Sequence, residues 1–129
     1  MDRLIGDLVS CVDRRIRQDE EVSVGAVSKE LGFTRQYVSG KFHKITGHLL
    51  SRYLKERRLE KAARLLKDTK LKISQISRLA GFDSENYFRQ QFRLRFNMSP
   101  RQFRSKGDLR AVEDTPFPEL SPLRLKVRA

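Results

Sequence analysis

Residues 73–82, with the sequence ISQISRLAGF, repeat the pattern of residues 24–33, VGAVSKELGF, at a distance of 49 positions. Both copies place two aliphatic residues three positions apart, then a serine, a glycine and a phenylalanine. The matched pairs are Val24/Ile73, Val27/Ile76, Ser28/Ser77, Gly32/Gly81 and Phe33/Phe82, followed after one inserted residue by Phe42/Phe92, Gly47/Asn97 and Tyr53/Phe103. Apolar residues at this spacing followed by glycine are typical of a helix that ends in a tight turn. The chain therefore holds two copies of one helical motif.

The rest of the chain also follows a helical pattern. Ser23 and Thr34 are suitable N-caps for the two helices of the first copy, and Gly47 or Asn97 can adopt the left-handed conformation that closes a helix. Val, Ile and Thr do not alternate with polar residues as strands require, so we predict an all-α fold. Its segments are a helix at 2–18, a first helix-turn-helix unit at about 23–46, a linker helix at about 48–68, a second unit at about 72–96 and a last short helix that starts at Ser99-Pro100.

The charge of the chain is unevenly distributed. Its 129 residues include 28 Lys+Arg and 16 Asp+Glu, a net charge of +12. Residues 51–107 hold 16 basic and 5 acidic side chains, whereas residues 1–50 and 108–129 are close to neutral. Such an excess destabilises a compact chain unless a partner offsets it. Nucleic acid is therefore the favoured partner, ahead of an anionic membrane or an acidic protein.

Composition also excludes several classes of protein. No apolar run approaches the roughly 20 residues that span a bilayer, so no membrane segment is expected. Cys11 is the only cysteine, which excludes an intramolecular disulfide and a Cys-rich zinc site. His43 and His48 match no recognised metal-ligand spacing, and no catalytic constellation stands out. We therefore expect no cofactor, no metal and no enzymatic activity, and a location in the reducing cytoplasm.

Two helices joined by a tight turn form the pattern in which the second helix enters the DNA major groove. One such pattern is weak evidence, but two at a fixed distance in a strongly basic chain are much stronger. A linker helix of about 18 residues spans roughly 27 Å. Successive major-groove faces on one side of a duplex lie about 34 Å apart. We therefore expect a monomer that places two reading helices in adjacent grooves of double-stranded DNA.

The reading helices are expected to point Val38 and Phe42, or Phe88 and Phe92, inward. The outward polar side chains are of the types that pair with base edges. The base-contacting candidates are Arg35, Gln36, Ser39, Gly40, Glu85, Asn86, Arg89 and Gln90, and the phosphate-contacting candidates are Thr34, Lys41, His43, Ser84, Tyr87 and Arg93. The second copy is richer in base-pairing groups, so we expect it to dominate specificity. Gly40 either allows the backbone to approach DNA closely or marks a helix that contacts phosphates more than bases.

These residues resemble the DNA-binding domain of the AraC/XylS family of bacterial transcription regulators. The similarity covers about residues 5–105 and is most specific in the second copy. Its motifs are Ile73-x-x-Ile76-Ser77-x-x-Ala80-Gly81-Phe82, Tyr87-Phe88, Phe92, Phe96, Ser99-Pro100, Phe103-Arg104, Arg57-Arg58-Leu59-x-x-Ala62-x-x-Leu65-Leu66, and Phe33-Thr34-x-x-Tyr37-Val38-Ser39-x-x-Phe42-x-x-x-Thr46-Gly47.

The resemblance implies seven helices, two helix-turn-helix subdomains within residues 1–107, and activation through contact with RNA polymerase. The layout resembles that of the stand-alone MarA/SoxS type, so the resemblance implies that no sensory domain is to be expected. Two departures concern the first copy. Many relatives have Arg where Gly40 stands, and Gln36-Tyr37-Val38-Ser39-Gly40 replaces a Trp-His-Leu-Gln-Arg run.

Alternatives remain open at this point. A low-specificity nucleoid or RNA-binding protein would use the same charge, and an adaptor would bind polymerase before it meets DNA. Residues 108–129 form a Pro-containing tail whose apolar residues would dock on the domain or on a partner, and a disordered end is the slightly favoured interpretation.

Overall fold

The computed structural model describes residues 2–120. In this part of the chain there are seven α-helices and no strand, which confirms the all-α prediction. The helices are α1 (Arg3–Arg17), α2 (Val24–Leu31), α3 (Arg35–Thr46), α4 (Leu50–Asp68), α5 (Ile73–Leu79), α6 (Glu85–Phe96) and α7 (Pro100–Lys106). Two short 3-10 turns follow at Leu109–Glu113 and Pro118–Leu120. No helix within residues 2–120 has the length and apolar character needed to cross a membrane.

The caps of the first copy form as the sequence predicts. The Ser23 hydroxyl accepts a hydrogen bond from the N–H of Ala26, and the Thr34 hydroxyl accepts one from the N–H of Tyr37. Gly32 closes α2 with φ of 82° and Gly47 closes α3 with φ of 77°. These left-handed values suit glycine, which carries no Cβ.

The second copy repeats this geometry with one substitution. Ser84 caps α6, and Gly81 has φ of 88° in the turn that precedes it. Asn97 closes α6 in the left-handed conformation with φ of 59°, so asparagine does replace the closing glycine of the first copy. At Ser99 a capping box with Gln102 starts α7.

The described residues divide into two compact units, each with its own apolar core. Arg58–Pro116 form the second unit, and the first holds the residues before Arg58 and those from Phe117 on. The core of the first unit is Ile5, Leu8, Val9, Cys11, Val12, Val22, Val27, Val38, Phe42, Leu50, Tyr53, Leu54, Phe117 and Leu120. The core of the second unit is Leu59, Ala62, Ala63, Leu66, Ile76, Ala80, Phe82, Phe88, Phe92, Phe96, Phe103 and Val112. Helix α4 contributes residues to both.

Part of the tail is packed. Val112 lies in the core of the second unit, whereas Phe117 and Leu120 lie in the core of the first. The Phe117 ring forms T-shaped contacts with the rings of Tyr53 and His48, at centroid distances of 5.6 and 4.7 Å. Residues 108–120 are therefore a docked segment rather than a disordered one, because their apolar side chains find buried partners. Residues 121–129 lie outside the described part of the chain.

Candidate nucleic-acid interface

The two second helices of the repeat each have one buried side and one exposed side. Val38 and Phe42 of α3 are fully buried, as are Phe88 and Phe92 of α6. This confirms the inward positions that helical spacing predicts. Of the base-contacting candidates, Arg35, Gln36, Gly40, Asn86, Arg89 and Gln90 are exposed, and Ser39 and Glu85 are half-buried.

Helical geometry ranks the outward residues. With about 100° between successive residues, the position opposite the midpoint of Val38 and Phe42 is Gly40. In α6 the position opposite Phe88 and Phe92 is Gln90, at the repeat distance of 50 from Gly40. These two residues therefore stand at the centre of the exposed face of their helices.

Arg35 lies nearer the flank of α3, where its guanidinium rests against α2. A Cβ added to Gly25 of α2 would lie 2.7 Å from the Nη2 atom of Arg35. Glycine at 25 thus makes room for this side chain. The packed position leaves Gln36 and Gly40 as the outermost candidates of α3.

On the flank of α6, Arg89 is paired with Glu85. Its Nη2 lies 2.7 Å from the Oε2 of Glu85, one helical turn earlier. Both side chains line an open cleft of about 640 Å³ between α5, α6 and α7. The other lining residues are Lys72, Ile73, Ser74, Arg101, Arg104 and Ser105.

Two cations of this cleft were missed by the sequence analysis. Lys72 lies just before α5, and Arg101 lies in the first turn of α7. Arg104 is engaged elsewhere, since its guanidinium donates to the carbonyls of Leu66 and Leu71. The excess of basic residues in 51–107 indicated that cations of this region could bind a polyanion. Sequence spacing does not show which of these cations three separate helices bring together.

The phosphate-contacting candidates occupy accessible positions. Thr34, His43, Ser84, Tyr87 and Arg93 are exposed, and Lys41 is half-buried. Thr34 and Ser84 use their oxygens as acceptors in the helix caps, so their hydroxyl hydrogens are the groups that could donate to a phosphate. Lys41 places its ammonium 5.8 Å from the centre of the Tyr37 ring.

Phe33 breaks the equivalence of the repeat. It is 46% exposed and stacks on Tyr37 at 4.9 Å, whereas Phe82 is 5% exposed and packs on Phe88 at 5.1 Å. The first copy has Val38 where the second has Phe88, so Phe33 lacks the buried ring that would cover it. The resulting aromatic pair beside α3 was not predicted.

The exposed faces of α3 and α6 both carry a net positive charge. Helix α3 carries Arg35, Lys41 and Lys44 and no acidic residue. Helix α6 carries three arginines and a single acid, Glu85. Both faces therefore suit a polyanion.

The remaining titratable candidates serve the packing of the first unit. The Nε2 of His48 lies 2.9 Å from the Oε1 of Glu119, a residue of the docked tail. Cys11 is buried, and burial together with the neighbouring Glu30 carboxylate raises the pKa of its thiol to about 11. Within residues 2–120 no group of three or more His, Cys, Asp or Glu side chains is arranged to hold a metal ion.

Comparison with known sequences gives a consistent result. Residues 27–106 match the family model described as a helix-turn-helix domain. The regulatory protein SoxS of Escherichia coli K12 is 30% identical over 104 residues, which cover 81% of this chain and 95% of SoxS. A histidine kinase of Formosa agariphila is 38% identical over 88 residues, which cover 68% of this chain and 6% of the kinase.

Solved structures share the fold. An AraC-type transcriptional regulator from Chromobacterium violaceum has a TM-score of 0.66 at 29% identity, over 79% of this chain and 92% of that one. The DNA-binding domain of AdpA, solved in complex with a target DNA, has a TM-score of 0.64 at 23% identity, over 76% of this chain and 89% of that one. The chain belongs to the AraC-type family of helix-turn-helix DNA-binding transcription regulators.

Proposed function

We propose that this protein binds double-stranded DNA sequence-specifically as a monomer, with α3 and α6 in successive major grooves. The observation that carries the proposal is the same in both units. Helix α3 buries Val38 and Phe42 fully, and α6 buries Phe88 and Phe92 fully. The opposite side of each helix presents mostly polar or cationic side chains, with Leu94 of α6 as an exposed apolar exception. That is the arrangement by which a helix-turn-helix unit reads a groove.

Base reading is assigned mainly to α6. Asn86 and Gln90 are exposed amides of the type that pairs with adenine, and Arg89 is of the type that pairs with guanine. Glu85 can accept from the cytosine amino group. In α3 the corresponding set, Arg35, Gln36, Ser39 and Gly40, offers fewer base-pairing groups, so α6 supplies most of the specificity.

Phosphate contacts position the protein and carry no sequence information. We assign them to Thr34, Lys41, His43, Ser84, Tyr87 and Arg93, and we add the cleft cations Lys72 and Arg101. The excess of positive charge in residues 51–107 supports this assignment. Affinity should accordingly fall steeply as salt concentration rises.

The repeat supports binding by one copy of the chain. Two reading helices within one polypeptide supply what other helix-turn-helix proteins obtain by dimerisation. Helix α4, which joins the two copies, has 19 residues and is therefore about 28 Å long.

Transcriptional activation with RNA polymerase is the further part of the proposal. It is supported by the relatives, one of which is named a regulatory protein and one of which is an AraC-type transcriptional regulator. We further propose that the protein acts in the cytoplasm as a DNA-binding protein without catalysis, which is supported by relatives that are transcription regulators.

The test is selection of bound duplexes from a random pool, followed by titration of the selected duplex and of bulk DNA. We expect the selected duplex to bind at least a thousandfold tighter, the lower end for specific DNA-binding proteins. Asn86→Ala should cost about 1–3 kcal/mol on the selected duplex and relax one base position. Equal losses on both DNAs would contradict a base-reading role for Asn86.

The same experiments separate the alternatives. Equal affinity for selected and bulk duplexes, or preference for RNA, would favour a low-specificity nucleic-acid-binding protein. Capture of RNA polymerase without DNA, in the absence of any selected sequence, would favour an adaptor.

A further inference from the structure

Gly40 occupies the centre of the exposed face of α3, where a reading helix would normally present a side chain. Opposite it, Val38 and Phe42 are fully buried. The equivalent position in α6 is Gln90, an exposed amide. The two copies therefore differ in chemistry at the centre of the exposed face, where α6 presents an amide and α3 presents no side chain.

Nothing within the described protein requires glycine at residue 40. It lies in the middle of α3, it is not among the glycines with positive φ, and a Cβ at this position would meet no atom within 4 Å. By contrast, Gly32 and Gly47 have left-handed backbones and Gly25 is covered by Arg35. Glycine inside a helix is destabilising relative to alanine. The residue thus weakens α3 without any gain in the free protein.

We propose that Gly40 is the point at which DNA contacts the backbone of α3 directly, so that α3 lies deeper in its groove than a side chain would allow. Glycine is the residue that permits such close approach of a backbone to a ligand. This inference rests on the proposed function and assigns different tasks to the two copies. Helix α3 positions the protein by close fit, and α6 reads a base edge through Gln90.

The surroundings of Gly40 support contact with DNA rather than with an apolar protein surface. Gln36 lies one turn before it and Lys44 one turn after it, and both are exposed. No acidic residue lies anywhere on α3 to repel a phosphate strand. If the backbone at Gly40 contacts DNA, it is flanked by the neutral Gln36 amide on one side and by the Lys44 ammonium on the other.

The test uses three variants of the full chain. Gly40→Ala adds one methyl group, and Gly40→Gln installs the residue of the second copy. Gly6→Ala is the matched control, because Gly6 also lies inside a helix with open space around a Cβ but belongs to α1. Thermal unfolding by circular dichroism and DNA titration are measured for each.

We expect stability and affinity to change in opposite directions at residue 40. Both alanine variants should unfold at a higher temperature, since each removes a helical glycine. Gly40→Ala should weaken binding to the selected duplex by about tenfold, as inserting a methyl group into a close-packed contact does. Gly40→Gln should weaken it further, and Gly6→Ala should bind like the wild type.

Unchanged or tighter binding by Gly40→Ala and Gly40→Gln would overturn the inference. That result would leave the proposed function intact if the wild type still selects a sequence. A wild type without sequence preference would instead contradict the proposed function. In that case the affinity of Gly40→Ala for bulk DNA would decide the inference. Weaker binding than the wild type would still support close contact between α3 and a duplex, and equal binding would refute it.

Discussion

Arg89 and Glu85 form an ion pair on the flank of α6, in which the Nε and Nη2 of Arg89 lie 2.9 and 2.7 Å from the same oxygen of Glu85. The side chains are 43% and 39% exposed, so the pair contributes only about 0–1 kcal/mol to stability. The pair is expected to affect DNA binding more than stability. The Glu85 carboxylate offsets the positive charge of Arg89 on the helix proposed to contact DNA, and so reduces its attraction to a polyanion.

Glu85→Gln should therefore strengthen binding to bulk DNA while weakening discrimination. The amide keeps the size of the side chain but removes a negative charge from the face of α6 that is proposed to contact DNA. We expect a gain of about 1 kcal/mol at low salt, the Coulomb energy of two charges 4 Å apart in water. Titration of both duplexes at several salt concentrations measures it. A variant that loses affinity for bulk DNA would show that the carboxylate does not oppose binding.

The cationic cleft gives a second prediction. Lys72→Ala and Arg101→Ala should each weaken binding to all duplexes to a similar extent and make the log–log salt dependence shallower by about 0.9. Lys106→Ala is the control, because Lys106 is an exposed cation of α7 that does not line the cleft. If the control changes the slope as much as the cleft variants do, the cleft has no special role.

Lowering the pH should remove the stabilisation that the Glu30 carboxylate gives to the first unit. Hydrogen bonds from Arg14, then from the Cys11 thiol and Arg15, hold the pKa of Glu30 at about 2, below its ordinary 4.5. Because the folded pKa is the lower one, this stabilisation is complete above pH 4.5 and is lost as the pH falls toward 2.

Glu30→Gln should thus reduce the free energy of unfolding at neutral pH, and its difference from the wild type should shrink between pH 4.5 and 2. Denaturant unfolding at a series of pH values measures this. Asp7→Asn controls for the loss of one surface carboxylate, since the nearest Arg3 nitrogen lies 3.9 Å away. A wild-type advantage over Glu30→Gln that is constant down to pH 2 would refute the assignment.

The docked tail should stabilise the first unit. Phe117 is 3% exposed against Tyr53 and His48, so Phe117→Ala should cost about 3–5 kcal/mol in the free energy of unfolding. Phe33→Ala is the matched control, since that ring is 46% exposed and its removal leaves no buried cavity. If both variants lose a similarly small free energy of unfolding, Phe117 is not packed against the first unit when the protein is in solution.

The sequence predicted the features that depend on local chemistry. The caps at Ser23, Thr34 and Ser99, and the left-handed closure at Asn97, are decided by a few neighbouring residues. Helical spacing likewise placed Val38 and Phe88 on the buried side.

Features that depend on distant residues were either not predicted, as for the cleft, or left as one of several alternatives, as for the docking of the tail. The cleft joins Lys72 and Arg101, which are far apart in the chain, and the docking of Phe117 depends on a surface formed partly by α4. The exposure of Phe33 was not predicted either, because its repeat partner Phe82 is buried against Phe88, a ring that the first copy replaces with Val38.

The central claim is that one chain reads DNA with two helices of unequal specificity, and the pool of duplexes selected by the wild-type protein tests it most directly. We predict two enriched segments with centres about 10 base pairs apart, one more strongly defined than the other, bound by one copy of the chain. An unenriched pool, or a symmetric site bound by two copies, would contradict it.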